Sequence, residues 1–366
     1  MEKKKNKIFE YLEWRGDLDF ESSPFNEVDA GILCLLSYLD YTGLISKDFS
    51  GDTLSLEKIS SLYFGRNLPY DIRVLDLLNV CAKTKRFSSV LVCGLFEELD
   101  AKAEKQFCGL TFLLPIKKKQ AIVVFRGTDV TLVGWKEDFN MTFTYPIPCQ
   151  EEALKYLEKA TSCLHGFNIV LAGHSKGGNA AIYASNLCSK KAYNSLSCIY
   201  TFDSPGFDKK LVDTSIFLRS VNKVKAFVPK DSIIGMLMEF PCSFKVVESD
   251  AFGFMQHDIF SWEVKCSNFI QRDSLTNFSI NAKRIMTKWL ESLDMNHRQK
   301  IVEVLFYILA ECGINEVADF EKKSFSTVVT ALKLFTGLDS VSKEYVLKAL
   351  GLFFKAAYEK NDVGDI

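Results

Sequence analysis

The sequence predicts an α/β protein, in which helices cover both faces of a mostly parallel sheet and a helical C-terminal region follows. Two observations predict this class. Short continuous apolar runs alternate with helical patterns through the middle of the chain, as expected of parallel strands that are buried on both faces. Beyond about Asn281 the strand patterns disappear and only helical patterns remain. At about 150 residues per domain, the 366 residues suffice for two units or for one large unit with an appendage.

The elements are predicted in the following order. Residues 1–24 are polar and mixed, and we expect a loosely held lead-in. A helix is predicted from Asn26, a good N-cap residue, with apolar residues along one face as far as Leu39. Strands are predicted at residues 110–114, 121–125, 167–172, 198–202 and 224–228, and a helix at about 150–164. The α/β core is therefore placed at residues 25–280, and the C-terminal region of residues 281–366 is predicted to hold helices at 283–293, 299–312, 324–335 and 342–358.

Composition narrows the possible functions. Lys and Arg number 45 against 46 Asp and Glu, so no basic field is present to recruit nucleic acid. The 11 cysteines show no C-x-x-C spacing and lie mostly in apolar stretches, which favours a reducing compartment. The first residues are charged but lack the apolar core of a secretory signal. We therefore expect a cytoplasmic protein with no nucleic-acid partner.

The most informative motif is Gly173-His174-Ser175-Lys176-Gly177, which follows an apolar strand and opens a helix rich in small residues. This context is typical of a nucleophile elbow, a sharp strand-to-helix turn that exposes a serine hydroxyl. Gly173 and Gly177 are expected because the strand and helix approach too closely for a Cβ atom. The backbone N–H of Lys176 would point at a developing oxyanion, and the His174 ring is expected to pack beside the turn.

A serine nucleophile needs a base, and the chain has only four histidines. Proteins with this elbow carry their triad in the order Ser, acid, His, so His165 and His174 precede Ser175 and are excluded. His297 lies at the start of a helical pattern, where an exposed histidine near a helix cap is the simpler explanation. His257 follows a strand-like stretch in a loop and is the predicted base by elimination.

The acid should lie between Ser175 and His257 in the chain. Among the aspartates in this interval, Asp203 and Asp231 directly follow predicted strands, where the loops of an active site gather. We prefer Asp231, which follows the second strand after the elbow. Asp203 remains the alternative, because the sequence at 203–206 also suits a structural turn.

These residues resemble class 3 lipases of the α/β-hydrolase fold. The resemblance rests on the stretch at 125–128, on Trp135 and Asp138 just beyond it, and on the elbow. It is closer to the bacterial Mbeg1-like family, a lipase-like group of unknown function. Features of that family are found at 26–29, at 36–40, in the lysine of the elbow, and in His257 with Asp258 and Trp262.

The resemblance implies roles for further residues. In class 3 lipases the hydroxyl residue after Phe-Arg-Gly contributes to the oxyanion hole, which implies Thr128 here, beside the Lys176 backbone. A strand-exit motif at 228–234 resembles the one that carries the acid, which supports Asp231.

Three supporting residues are assigned as well. We expect Arg126, paired with Asp129 or Asp138, to fix the oxyanion loop, and Trp135 to be a packing anchor. The sequence departs from class 3 lipases at Lys176, where an apolar residue is usual.

Together the residues and the resemblance predict a serine esterase or lipase-like hydrolase, acting on an acyl ester or lipid without a cofactor or metal. Two alternatives remain, a catalytically silent α/β-hydrolase used for binding or regulation and an acyltransferase. Basic clusters at 3–5 and 117–119 would be attracted to anionic lipid, but we expect solvated surface charge rather than membrane contact. The oligomeric state is left open.

Overall fold

The computed structural model describes residues 7–358 except for 50, 52, 64–65, 67–70, 317–318 and 320–324. Its helices are α1 (Ile8–Arg15), α2 (Glu27–Leu36), α3 (Leu56–Leu62), α4 (Ile72–Cys81), α5 (Leu132–Asn140), α6 (Pro148–Cys163), α7 (Lys176–Leu187), α8 (Lys190–Ser195), α9 (Asn277–Ser292), α10 (Met295–Glu311), α11 (Phe325–Gly337) and α12 (Ser340–Tyr358). Its strands are β1 (Leu54–Ser55), β2 (Leu91–Asp100), β3 (Lys105–Leu113), β4 (Gln120–Phe125), β5 (Asn168–His174), β6 (Leu196–Phe202), β7 (Val224–Pro229), β8 (Phe244–Val247), β9 (Val264–Lys265), β10 (Asn268–Phe269) and β11 (Gln271–Arg272).

In the described part of the chain, the central sheet has the strand order β1-β2-β3-β4-β5-β6-β7-β8-β11. Strands β4 to β8 run parallel, whereas β1 to β4 pair antiparallel and β11 pairs antiparallel with β8. The predicted α/β class is confirmed, and the sheet is mixed. Its parallel half carries the elbow, so the carboxyl ends of β5, β6 and β7 lie side by side.

Alternate side chains of the parallel strands enter two separate cores. Val170 and Ala172 of β5 pack with α2 on one face of the sheet, while Ile169 and Leu171 pack with α6 and α7 on the other. Both faces are therefore covered, which explains why the strands appear in the sequence as unbroken apolar runs.

The predicted loose lead-in at residues 1–24 is wrong for the part that the structure describes. Residues 8–15 form α1, and Ile8, Tyr11 and Leu12 are fully buried in the core that contains α2. The Tyr11 hydroxyl also donates a 2.8 Å hydrogen bond to the carboxylate of Asp29. The spacing of these three residues is that of one helical face, which the surrounding charged residues concealed.

The helical C-terminal region is present as α9 to α12. Helix α9 begins at Asn277, so the proposed boundary at residue 281 falls inside it. Helix α10 packs against α5, and α12 packs against α9 and α10. No helix among the described residues is long and apolar enough to cross a membrane.

Candidate active site

Ser175 occupies a strained turn between β5 and α7. Its backbone has φ 56° and ψ −131°, a conformation that costs a residue other than glycine roughly 1–3 kcal/mol. A Cβ atom on Gly177 would lie 2.0 Å from the Phe125 carbonyl oxygen, and one on Gly173 would lie 2.3 Å from the Gly177 backbone. The close approach expected of the elbow glycines is therefore observed.

The side chain that orients His257 is Asp203. Its Oδ2 lies 2.7 Å from His257 Nδ1, and the carboxylate is almost fully buried. Ser232 Oγ and the Gly235 N–H donate to the other oxygen, at 2.5 and 3.1 Å. A carboxylate that accepts these bonds has no proton to give, so Nδ1 of His257 donates and Nε2 is left as the basic nitrogen.

The preference for Asp231 as the partner of His257 is wrong. Both aspartates follow neighbouring strands, but Asp231 Oδ2 accepts from Gln256 Nε2 at 2.8 Å and Oδ1 accepts from Thr276 Oγ1 at 2.5 Å. Its backbone N–H also donates to Gln256 Oε1. Asp231 therefore holds the residue before the histidine, together with the start of α9, while Asp203 holds the imidazole.

Other contacts fix the loop that carries His257. The indole N–H of the buried Trp262 donates to the Gln256 carbonyl at 2.8 Å. Arg73 of α4 forms a 2.9 Å ion pair with Asp258. Asp258 and Trp262, which follow His257 in the family pattern, therefore have structural roles.

Thr128 and Asp138 form a pair at the predicted oxyanion hole. The Thr128 hydroxyl lies 2.6 and 2.8 Å from the two carboxylate oxygens of Asp138 and donates to them. The hydroxyl is thereby committed to Asp138, so the backbone N–H of Thr128 is the group left for an oxyanion. Burial raises the pKa of Asp138 to about 6, although the nearby Lys176 ammonium and the Thr128 hydrogen bond lower it.

The Lys176 side chain is buried behind this site. Its Nζ donates to Glu137 Oε2 at 2.7 Å and to the Gln106 carbonyl at 3.2 Å, and lies 3.8 Å from Asp138. These carboxylates raise the pKa of Lys176 above its ordinary value, although burial acts in the opposite direction. The backbone N–H of Lys176, in the first turn of α7, has no partner within the helix, which is compatible with its predicted role as an oxyanion donor.

Two of the supporting residues, Arg126 and Trp135, differ from the expectation in their surroundings. Arg126 does not pair with Asp129 or Asp138 but forms an ion pair with Glu97. Its guanidinium also donates to the carbonyls of Ser37 and Leu39, at 2.5 and 3.1 Å. Trp135 is 37% exposed and lines the cavity beside the elbow, so the expectation of a packing anchor is wrong.

That cavity has a volume of about 830 Å³, and Ser175 and His257 both line it. This volume lies within the range of small-molecule sites. One wall is formed by apolar side chains of α9, of α10 and of the turn between them, namely Met286, Trp289, Leu290, Leu293, Ile301 and Val302. Helices α9 and α10 of the C-terminal region therefore belong to the site. Within the described residues, no group of His, Cys, Asp and Glu side chains has the arrangement of a metal site.

Sequence reasoning missed Glu137, Gln256 and the cavity wall formed by α9 and α10. Gln256 directly precedes the predicted base, and this position in the sequence could have indicated a role beside it. Glu137 directly precedes Asp138, but the sequence pattern does not show that its carboxylate is buried. The helical periodicity of α9 and α10 was recognised, but not the surface against which they pack. His165 and His297, excluded as bases, do not line the cavity.

Three comparisons with known proteins were made, and the family model among them agrees with the resemblance seen in the sequence. A comparison with curated protein sequences gave no match. A solved structure titled "Crystal structure of M37 lipase" is 14% identical, with a TM-score of 0.37, over 57% of this chain and 67% of that chain. This likeness is too distant to support an argument. The Mbeg1-like family model matches residues 81–307, more than half of the chain, and the protein belongs to the Mbeg1-like family.

Proposed function

We propose that this protein is a serine hydrolase of lipase or esterase type, which cleaves an acyl ester through Ser175, His257 and Asp203. The observation that carries the proposal is the 2.7 Å hydrogen bond between His257 Nδ1 and the buried Asp203. It leaves Nε2 of His257 basic, in the cavity that Ser175 also lines.

The proposed reaction begins when Ser175 Oγ attacks the ester carbonyl and His257 Nε2 takes its proton. Asp203 stabilises the imidazolium that forms. The backbone N–H groups of Lys176 and Thr128 donate to the tetrahedral oxyanion. His257 then protonates the departing alcohol, and the acyl group stays on Ser175. Water, deprotonated by His257, attacks this acyl-enzyme and releases the carboxylic acid together with the free serine.

The shape of the cavity supports an ester whose acyl group is apolar. The lining is mainly hydrocarbon, with the aromatic rings of Trp135 and Trp289 among its walls. The charged side chains described at its border, such as Arg73 and Arg126, already form ion pairs. An uncharged acyl group would enter this cavity without displacing those pairs.

Labelling with a fluorescent fluorophosphonate tests the proposal. The probe reacts with an activated serine, so we expect labelling of the wild type and none of Ser175→Ala. The exposed Ser189→Ala variant serves as the matched control and should label like the wild type. If the wild type is not labelled while a reference serine esterase is, the hydrolase proposal fails and the catalytically silent alternative takes its place. Product analysis with competing alcohols distinguishes hydrolysis from acyl transfer.

A further inference from the structure

We infer that Tyr38 and His174 are positioning residues, which form a partly buried hydrogen-bond relay from the oxyanion loop, against which the Tyr38 hydroxyl packs, to the main chain of His257. This inference rests on the proposed function, because it assigns the relay a task in that reaction. Neither residue is expected to touch the reacting atoms. Tyr38 lies just after α2, and His174 is the last residue of β5, directly before the proposed nucleophile.

The relay consists of two hydrogen bonds and one close contact. The Tyr38 hydroxyl packs against Gly127, where an added Cβ atom would lie 2.5 Å from it. That hydroxyl lies 3.1 Å from His174 Nδ1, and His174 Nε2 lies 2.8 Å from the His257 carbonyl oxygen. Gly127 directly precedes Thr128, so the two ends of the relay are the loop of an oxyanion donor and the loop of the base.

The His257 carbonyl oxygen, the acceptor at the end of the relay, determines which atom carries each proton of the relay. A carbonyl oxygen can only accept, so His174 Nε2 must carry hydrogen. Burial, and after it the neighbouring His257, lowers the pKa of His174 well below its ordinary value, which leaves the ring neutral. Nδ1 of a neutral ring with Nε2–H is an acceptor, and the Tyr38 hydroxyl therefore donates to it.

A protonated His174 would break this order. Nδ1–H would then point at the Tyr38 oxygen, and the Tyr38 proton would lose its acceptor. The His174 and His257 ring centroids are also only 4.4 Å apart. A cation on His174 would oppose the imidazolium that His257 must become, so the neutral relay suits the reaction.

The close packing around Gly127 explains why the relay controls position. A Cβ atom on Gly127 would lie 2.5 Å from the Tyr38 hydroxyl, 2.7 Å from the His174 carbonyl oxygen and 3.1 Å from Ser175 Cβ. The oxyanion loop, the elbow and Tyr38 thus meet at one point. Since small misplacements of reacting groups lower rates strongly, loss of the relay should act on turnover.

The tautomer can be tested without any substrate. In ¹⁵N-histidine spectra, we expect His174 to show a protonated Nε2 and an unprotonated Nδ1 throughout pH 5–9. Its signals are assigned by their loss in His174→Gln. A ring that titrates in this interval, or that carries hydrogen on Nδ1, overturns the relay.

Variants test its effect on the reaction. A Gln amide can still donate to the His257 carbonyl, whereas Phe cannot. His174→Gln should therefore keep kcat within about threefold of the wild type, and His174→Phe should lower it about tenfold or more, with KM nearly unchanged. Tyr38→Phe keeps the ring that lines the cavity and should lower kcat about 3- to 10-fold.

The matched control for Tyr38→Phe is Tyr156→Phe, which removes a buried hydroxyl bonded to Gly94 and Thr111 on the other face of the sheet. It should reduce thermal stability but leave kcat unchanged. If His174→Phe matches the wild type in kcat and in fluorophosphonate labelling, or if Gln and Phe lose kcat equally, the positioning role is refuted. If the wild type itself is not labelled, the proposed function has failed instead.

Discussion

At the scale of single residues, the partner of His257 shows where sequence reasoning ends. Asp203 and Asp231 follow adjacent strands of the sheet, and both satisfy the chain order of a triad. Which carboxylate reaches the imidazole depends on the path of the loop at 248–263, and no local pattern encodes that path. Strand order and motif could therefore reduce the choice to two residues, but only the three-dimensional arrangement separates them.

The two aspartates have different expected effects on catalysis. Asp203→Asn should lower kcat by about 10³–10⁴, because the amide favours the wrong imidazole tautomer. Asp231→Asn weakens the contacts to Gln256 and Thr276 but leaves the contact between Asp203 and the imidazole intact, and should lower kcat by about tenfold or less. Hydrolysis of p-nitrophenyl butyrate by both variants measures the difference. A larger loss for Asp231→Asn would mean that Asp203 is not the acid of the triad.

Asp138 should give stability a characteristic dependence on pH. Its pKa is raised by burial to about 6 in the folded protein, against about 3.9 in an unfolded chain. Between these values the folded state binds a proton that the unfolded state does not, so the free energy of unfolding falls as the pH rises. This contribution is fully present below about pH 4 and is lost above about pH 6.

The Asp138→Asn variant removes this contribution. The difference in unfolding free energy between the wild type and Asp138→Asn should therefore decrease from pH 4 to pH 6 and stay level above pH 7. Urea unfolding of both proteins across this range measures it. A difference that does not change with pH would show that the carboxyl titrates normally.

At the scale of secondary-structure elements, the parallel strands β4 to β7 and the C-terminal helices followed from periodicity, but the long strand β2 and the tertiary contacts of the elements did not. The strands β4 to β7 were recognised because burial on both faces makes them continuously apolar. Helix α1 was missed because its three buried residues lie within a short stretch that is rich in charged residues. Lys176 lies in a predicted helix, yet its burial against Glu137 of α5 depends on how α5 and α7 pack.

The Lys176–Glu137 pair should be important for stability. Lys176→Met leaves the Glu137 carboxylate buried without its cation, which should cost about 3–5 kcal/mol of unfolding free energy. Lys155→Met is the matched control, because Lys155 pairs with Glu152 at the surface. This variant should change the unfolding free energy by less than about 1 kcal/mol. Denaturant unfolding compares the two variants. Equal losses would show that the buried pair contributes no more than the exposed one.

At the scale of the whole molecule, helices α9 and α10 of the C-terminal region complete a cavity whose proposed catalytic residues lie in the α/β core. Their existence could be predicted, since their apolar residues recur at helical spacing. Their place over the cavity could not, because the same apolar faces would suit a separate domain equally well. The region that seemed an appendage thus supplies a wall of the cavity that contains Ser175.

This arrangement predicts that α10 limits the length of the acyl group. Each buried CH₂ contributes about 0.8 kcal/mol, so kcat/KM should rise about fourfold per added CH₂ until the cavity is filled. Ile301→Trp narrows the cavity and should reduce activity on long-chain p-nitrophenyl esters while sparing the butyrate. Leu347→Trp, on an exposed position of α12 outside the cavity, is the control. An unchanged chain-length profile in Ile301→Trp would remove α10 from the acyl site.

The backbone strain at Ser175 has a consequence for how such a protein can evolve. Glycine adopts positive φ freely, so Ser175→Gly should unfold at a higher temperature than Ser175→Ala, which keeps the strain without the hydroxyl. Thermal unfolding of the pair measures this, and equal midpoints would show that the turn is relaxed. A lineage that no longer needed the serine would gain stability by exchanging it for glycine. Without selection for catalysis, substitutions that replace Ser175 would therefore be favoured, and the serine would be retained only where its chemistry is needed.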